Sequence, residues 1–188
     1  MTDTPAADGG PTVVRVAGPS DSGKTTCIER LVDALSTELT VGTVKSIHHD
    51  IEPDTTGTDT HRHRTAGARS VVGITPHHAF EVTPLPRPDD DGGPGDGTGP
   101  DNNGGRGGTI GLPDGASAAD RAKRSALATT LERFANRGYD VVLVEGFSGT
   151  DVPTVWLGDD REPVGDVLAT DETPFDDIVA AIRELADA

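Results

Sequence analysis

The sequence predicts an α/β fold in which helices flank a mostly parallel β-sheet on both faces. The apolar runs at residues 12–17 and 141–144 lack regular polar alternation, which is typical of strands buried on both sides. Between such runs lie segments whose apolar residues recur at helical spacing, so strands and helices alternate along the chain. That alternation is typical of a parallel sheet covered by helices.

The N-terminal half is predicted to begin with a strand at Thr12–Ala17, a glycine-rich turn and a helix from Lys24. The helix is indicated by apolar residues at helical spacing, namely Ile28, Leu31, Val32, Leu35 and Leu39. A second strand is predicted at Val41–Ile47, and a short helix at about residues 60–69. The short strand candidates that follow, and that would form a small hairpin, are Ser70–Ile74 and Ala79–Val82.

The composition changes abruptly at residues 84–116, which are dominated by Gly, Pro, Asp and Asn. A segment with so little apolar surface cannot offset the entropy lost on ordering it. We therefore predict a disordered insertion within one domain at about 84–116, and a disordered leader at residues 1–11.

Order is predicted to resume at Ser117, which with Asp120 forms a capping-box pattern that opens a helix. Gly138 is suited to the C-terminal end of that helix. The next strand covers Val141 to Val144 and ends in Glu145. The remaining predicted elements are strands at Pro153–Leu157 and Asp166–Thr170, and a last helix with Thr173 as cap and Pro174 at its first position.

The composition restricts the classes of partner. The chain of 188 residues has 32 acidic and 16 basic side chains, a net charge of -16, which disfavours binding to nucleic acid or to anionic membranes. The acids are spread along the whole chain, which favours a halophilic cytosol over an acidic tail. The single cysteine allows no intrachain disulfide, and the sequence shows neither a signal peptide nor a membrane span, so we expect a cytoplasmic protein.

The turn after the first strand carries the strongest motif. Gly18, Gly23, Lys24 and Thr25 satisfy G-x-x-x-x-G-K-[ST], the P-loop pattern that cradles nucleotide phosphates between a strand and a helix. Lys24 would reach the β- and γ-phosphates and Thr25 would ligate Mg²⁺. Residues 12–188 are therefore predicted to be a single P-loop NTPase domain. The predicted phosphate-binding residues are Gly18, Ser20, Asp21, Ser22, Gly23, Lys24, Thr25 and Thr26.

A second group for magnesium, a carboxylate, is expected at the end of another apolar strand. Glu145 is the candidate, and it would either ligate the metal or orient water. Lys45 ends the second strand at the same edge, where parallel sheets bind ligands. The polar segment behind it is predicted to be a switch or substrate loop. Its candidate residues are His48, His49, Asp50, Asp54 and Asp59. The clustered histidines leave open a transition-metal site, although their spacing fits no tight metal motif.

The ordered motifs resemble the molybdopterin-guanine dinucleotide biosynthesis protein B (MobB) family. The residues that carry the resemblance are VVRVAGPSDSGKTT, then VKSIHHDIEPDTTGTDTHRHRTAGA, then VVLVEGF followed by PTVWL. The chain departs from the family pattern at Ser46, where the family has histidine after the lysine, and at Thr58, where it has lysine.

The resemblance implies a GTP-binding protein with weak GTPase activity that acts as an adaptor. Its partner would be a MobA-like guanylyltransferase, which attaches GMP to molybdopterin, and it would be a homodimer. Molybdopterin or a molybdoenzyme would be a further partner. No guanine-reading motif of the NKxD type is present, so the preference for GTP comes from the resemblance alone. We expect Lys24, Glu145 and Asp59 to act in hydrolysis, and Arg64 is the nearest candidate for an arginine finger.

Other functions are compatible with the same P-loop. The histidines favour a nickel-type metallochaperone GTPase. A small-molecule kinase would need an arginine-rich lid, and the insertion contains only Arg106, with Arg121 and Arg124 just beyond it. A nucleotide-sensing module without turnover is the remaining alternative.

Overall fold

The structure is a computed structural model that describes residues 10–85, 117–147, 150–158 and 166–188. Apart from residues 10–11 and 84–85, the predicted leader and insertion lie outside the described residues. The described residues fall into two compact units: residues up to Ser46 together with those from Ser117 onward, and residues Ile47 to Leu85. The elements in chain order are β1 (Thr12–Ala17), α1 (Lys24–Leu35), β2 (Val41–Lys45), α2 (Asp59–Thr65), β3 (Val71–Ile74), β4 (Ala79–Val82), α3 (Ala118–Asn136), β5 (Val141–Glu145), β6 (Thr154–Trp156), β7 (Val167–Thr170) and α4 (Phe175–Ala186).

The first unit is built on a five-stranded sheet of order β2-β5-β1-β6-β7. All neighbouring strands in it are parallel. β5 lies between β1 and β2, so that Val141 is in register with both Thr12 and Val41. Because the strands are parallel, their carboxyl ends meet at one edge, which positions the loop after β1 next to the end of β5.

Helices cover both faces of this sheet, as the sequence predicts. Alternate residues of the central strands, including Val14 and Leu143, pack with apolar side chains of α1 and α4. The residues that alternate with them in β5, Val142 and Val144, pack on the other face with Leu127 of α3. The continuous apolar run of β5 thus serves two cores, one on each side of the sheet.

Several element ends differ from the predicted ones for local reasons. α1 ends at Leu35, so Leu39 packs on the core from outside the helix. α2 ends at Thr65, short of residue 69, because the chain turns at Gly67, whose φ is 104°. The N-cap of α4 is Pro174, because the Thr173 hydroxyl instead accepts a hydrogen bond from the Thr170 amide at the end of β7.

The capping box of α3 is present as predicted. The Ser117 hydroxyl accepts a hydrogen bond from the Asp120 amide, and the Asp120 carboxylate accepts one from the Ser117 amide. The Ser117 hydroxyl also donates to that carboxylate, at 2.7 Å, and this hydrogen bond, followed by the one from the amide, holds the pKa of Asp120 below its ordinary value. At the other end of the helix, Gly138 adopts a φ of 71°.

The second unit contains α2 and an antiparallel hairpin. The two strands of the hairpin, β3 and β4, form a two-stranded sheet. Gly73 is opposite Phe80, whose ring lies where a β-carbon on residue 73 would be. α2 packs against β3. On the other face of β3, Val72 and Ile74 are exposed. No helix in the described part of the chain combines the length and apolarity that a membrane span requires.

Candidate functional site

The loop between β1 and α1 folds around its own backbone amides. Gly18, Asp21 and Gly23 have φ values of 148°, 61° and 84°, in the left-handed range. Gly18 has no alternative, because a β-carbon there would lie 2.0 Å from the carbonyl oxygen of Leu157. α1 then starts at Lys24 with no described side chain capping its first amides. Free amides at a helix start, preceded by a left-handed turn, form a site for an anion such as phosphate.

Two polar side chains of the loop are placed for a ligand that carries phosphate. The Lys24 ammonium donates to the carbonyl oxygens of Gly18, at 3.1 Å, and of Pro19. The Ser22 hydroxyl is buried and has no hydrogen-bond partner among the described residues. A buried hydroxyl without a partner is costly, and a phosphate bound in the loop would supply one. The loop therefore fits the phosphates that its sequence predicts.

The loop is walled on one side by the end of β6. Leu157 and Gly158 lie against it, and a β-carbon on Gly158 would be 2.9 Å from the Pro19 ring. The indole of Trp156 donates a hydrogen bond to the Gly158 carbonyl oxygen. No local pattern in the sequence indicates this contact, because it depends on β6 being the neighbour of β1.

A carboxylate and a hydroxyl meet on the other side of the loop. The Thr25 hydroxyl donates to Oε2 of Glu145 at 3.3 Å, and the Lys45 ammonium lies 3.1 Å from Oε1. Lys45 and Glu145 are in register on adjacent strands, and their side chains are 55% and 12% exposed. A hydroxyl beside a carboxylate is the oxygen donor set that Mg²⁺ takes in proteins. Thr25 and Glu145 thus fit the metal that the P-loop pattern implies.

Arg64 and Asp54, two candidate residues of the second unit, are engaged in local contacts. The Arg64 guanidinium donates to both carboxylate oxygens of Glu52, at 2.6 Å for Oε1, and this holds the pKa of Glu52 below its ordinary value. The pKa of Asp54 is also lowered, chiefly by a hydrogen bond from the Thr60 side chain. These contacts fix the segment before α2 against the helix.

The other candidates of the second unit are more exposed. His48, His49 and Asp50 lie on the connection between β2 and α2 and are exposed. Asp59 begins α2, pairs with Arg62 at 3.6 Å and lines an open cavity of about 490 Å³. Among the described residues, which include every histidine, no three His, Cys, Asp or Glu side chains are grouped as a metal ion would require.

The chain is similar to known proteins both in sequence and in fold. Residues 13–87 match the model of the family described as molybdopterin guanine dinucleotide synthesis protein B. A molybdopterin-guanine dinucleotide biosynthesis adapter protein of Haemophilus influenzae is 31% identical over 74 residues, 39% of this chain and 42% of that protein. A relative from Methanocaldococcus jannaschii, named as a candidate for the same adapter, is 42% identical over 63 residues, 34% of this chain and 26% of that protein.

The matched segments span less than half the length of either curated relative. The fold similarity is more extensive, since the crystal structure of Bacillus subtilis MobB aligns with a TM-score of 0.56 over 93% of this chain and 97% of that one, at 19% identity. Residues 13–87 are thus similar in sequence to the MobB family, and the chain shares its P-loop fold with a solved MobB structure.

Proposed function

We propose that this protein is a GTP-binding adaptor with weak GTPase activity that assists the formation of molybdopterin guanine dinucleotide. The observation that carries the proposal is the continuous site formed by the loop after β1 and the end of β5. It combines the Lys24 ammonium and the Thr25–Glu145 pair with helix amides that no described side chain caps. The Ser22 hydroxyl, which has no hydrogen-bond partner in the part of the chain that the structure describes, adds a further donor. The name of the Haemophilus relative supports the pathway, and the preference for guanine rests on the family resemblance.

The reaction is phosphoryl transfer to water, in which this chain mainly positions groups and neutralises charge. Lys24 leaves the carbonyl oxygens of its own loop and stabilises the negative charge of the terminal phosphate. Thr25 and Glu145 would hold Mg²⁺, which when bound neutralises phosphate charge. The Glu145 carboxylate, positioned at the end of a buried strand, is also the group that orients water.

Slow hydrolysis agrees with the contacts of Arg64. An arginine finger accelerates phosphoryl transfer by placing its guanidinium on the transferred phosphate. In this structure both carboxylate oxygens of Glu52 bind that guanidinium. Arg64 must leave Glu52 before it can act as a finger. The same segment of the chain is the proposed switch or substrate loop. It includes Asp50 and Asp59, together with His48 and His49.

The proposed partners follow from the adaptor role. They are a MobA-like guanylyltransferase, molybdopterin or a molybdoenzyme, and a second copy of the chain. The net charge of -16 supports function in a high-salt cytoplasm, where screening reduces repulsion among surface carboxylates.

The test is calorimetric titration of the protein with GTP and with ATP, in Mg²⁺ and multimolar KCl. GTP should bind more tightly than ATP. Lys24→Ala should weaken GTP binding about 10- to 100-fold, the loss expected for a hydrogen bond to a charged group. The matched control is Arg183→Ala, which removes a positive charge on α4 that contacts Glu38 and Ala34.

Two results would contradict the proposal in different ways. Equal or tighter binding of ATP would refute the guanine-specific role and favour a P-loop kinase. Undiminished GTP binding by Lys24→Ala would refute the assignment of the loop itself. The adaptor role has a test that does not depend on hydrolysis. The wild-type protein should co-purify with its guanylyltransferase, and Lys24→Ala and Arg183→Ala should do so as well.

A further inference from the structure

The core of the first unit contains one polar cluster. Three polar residues are buried among those the structure describes: Arg15, Thr150 and Thr154. Arg15 is 2% exposed and lies on β1, the strand that leads into the P-loop. Its Nε donates to the Thr154 hydroxyl at 3.1 Å, and its Nη1 donates to the carbonyl oxygen of Phe147 at 3.3 Å. Nη1 also donates to the Thr150 hydroxyl at 3.5 Å, so all three residues belong to a single hydrogen-bonded group.

The cluster holds the chain where it leaves β5. Gly146 and Phe147, directly after Glu145, have φ values of 90° and 55°. A left-handed conformation is unfavourable at a residue with a bulky side chain such as Phe147, so other contacts must maintain it. The Phe147 carbonyl oxygen accepts hydrogen bonds from Arg15 and from the Thr150 hydroxyl, the latter at 3.0 Å.

The turn has little freedom to move without moving Glu145. A β-carbon on Gly146 would lie 2.9 Å from the β-carbon of Ser46, so the turn is packed against the end of β2. The Ser46 amide in turn donates to the Glu145 carbonyl oxygen at 2.9 Å. A displacement of Phe147 would therefore be transmitted to the backbone that carries the Glu145 carboxylate.

We propose that Arg15 is a positioning residue that, through the Gly146–Phe147 turn, holds the Glu145 carboxylate beside Thr25 for magnesium binding. The proposal rests on the proposed function of the site as a magnesium–nucleotide site. Burial lowers the pKa of the Arg15 guanidinium, but arginine is basic enough to stay charged. A buried charge on a central strand is expensive, and an apolar residue would pack there without that cost. The hydrogen bonds to the turn give the charge a role that an apolar side chain lacks.

The experiment measures how much Mg²⁺ is needed for GTP binding in Arg15→Met, Arg15→Lys and Thr150→Val. Trp156, the single tryptophan, ends the strand beside the P-loop and provides the fluorescence signal. The Mg²⁺ concentration at half-saturation should rise about tenfold in Arg15→Met, the low end for residues that orient metal ligands. Binding of GTP in EDTA should stay at the wild-type level. Thr150→Val, which removes one of the two donors to Phe147, should show a smaller rise.

The control is Ile182→Ala, which removes a fully buried side chain from the apolar cluster on the opposite face of the sheet, where no residue of the Gly146–Phe147 turn packs. It should lower the melting temperature and leave the Mg²⁺ requirement unchanged. If Arg15→Met and Thr150→Val also lower only the melting temperature, Arg15 is merely structural and the proposal is wrong. Should Arg15→Met fail to fold, Arg15→Lys and Thr150→Val decide by the same comparison.

A second readout separates this proposal from the nucleotide-binding proposal. In the nucleotide-free protein, hydrogen exchange of the Ser46 and Gly146 amides reports on the backbone around Glu145. Exchange should be faster in Arg15→Met than in Ile182→Ala at matched stability. If wild-type protein binds no nucleotide, the proposed function fails, and this exchange measurement alone decides whether Arg15 positions the turn. Equal exchange in the two variants would overturn the positioning role.

Discussion

Gly18→Ala tests whether the P-loop is shaped by its contact with the end of β6. Two separate costs are expected. A side chain at a φ of 148° is strained, and the new β-carbon would lie 2.0 Å from the Leu157 carbonyl oxygen, which is backbone and cannot rotate away. Strain of about 1–2 kcal/mol and overpacking of about 1–3 kcal/mol together predict a loss of roughly 3 kcal/mol in the free energy of unfolding.

The matched control is Gly138→Ala. Gly138 also has a positive φ, of 71°, but a β-carbon there would meet nothing within 4 Å, so only strain is expected. In thermal unfolding, Gly18→Ala should lower the melting temperature by about 10 °C and Gly138→Ala by less than half of that, on the scaling for chains of this size. Gly18→Ala should also abolish GTP binding, whereas Gly138→Ala should retain it. Equal losses of stability in the two variants would refute the reasoning from the Leu157 contact.

Further predictions concern charge and packing. Lys45→Met removes the ammonium beside Glu145 and should make Mg²⁺ bind about twofold to fivefold more tightly in the GTP titration. The expected effect is small because the ion pair is exposed to solvent. Weaker Mg²⁺ binding would show that the lysine contacts phosphate instead. The Arg64 guanidinium lowers the pKa of Glu52. At pH values above the unfolded carboxyl pKa of about 4.3, this ion pair therefore stabilises the second unit. That stabilisation is lost as the pH falls through the lower pKa of the folded state. Glu52→Gln should therefore speed exchange of α2 amides near neutral pH, with the difference from wild type vanishing in acid. Leu143→Ala, fully buried, should cost about 2–5 kcal/mol in denaturant unfolding, while Ile74→Ala, 81% exposed, should change stability by less than about 0.5 kcal/mol. Refolding should be more complete in multimolar KCl than in low salt, and full stability in low salt would contradict a halophilic origin of the net charge of -16.

Local pattern was sufficient to predict most elements of this fold. β1 and β4 have the predicted bounds, and Ser117 caps α3 as its spacing to Asp120 indicates. These features depend on neighbours a few residues away, which the sequence displays directly. The ends of helices were predicted less well, because Thr173 bonds to the end of β7 instead of capping α4. Apolar spacing alone likewise extended α1 to Leu39, which packs on the core without being helical.

Contacts between distant segments are what the sequence did not reveal. Parallel strand ends share one edge, so the approach of Glu145 to Thr25 follows from topology once the two strands are recognised. The contact of Leu157 with the P-loop can be predicted only when the order of strands in the sheet is known. No local sequence pattern indicates that order. Arg15 interrupts an apolar run, yet nothing near it identifies Thr150, Thr154 and the Phe147 carbonyl as its partners. Such partners are supplied by the fold alone.

The position of β5 between β1 and β2 has a consequence for how the chain is made. β1 and β2 do not pair with each other, because β5 lies between them. β5 is synthesised only after α3. Thr25 and Glu145, which meet at the site, are therefore 120 residues apart in sequence. On the ribosome, the N-terminal strands emerge with open edges and remain unpaired until β5 arrives. Long-range pairing of this kind slows folding and exposes strand edges to aggregation. A high density of negative charge on the nascent chain would keep those edges apart during the delay.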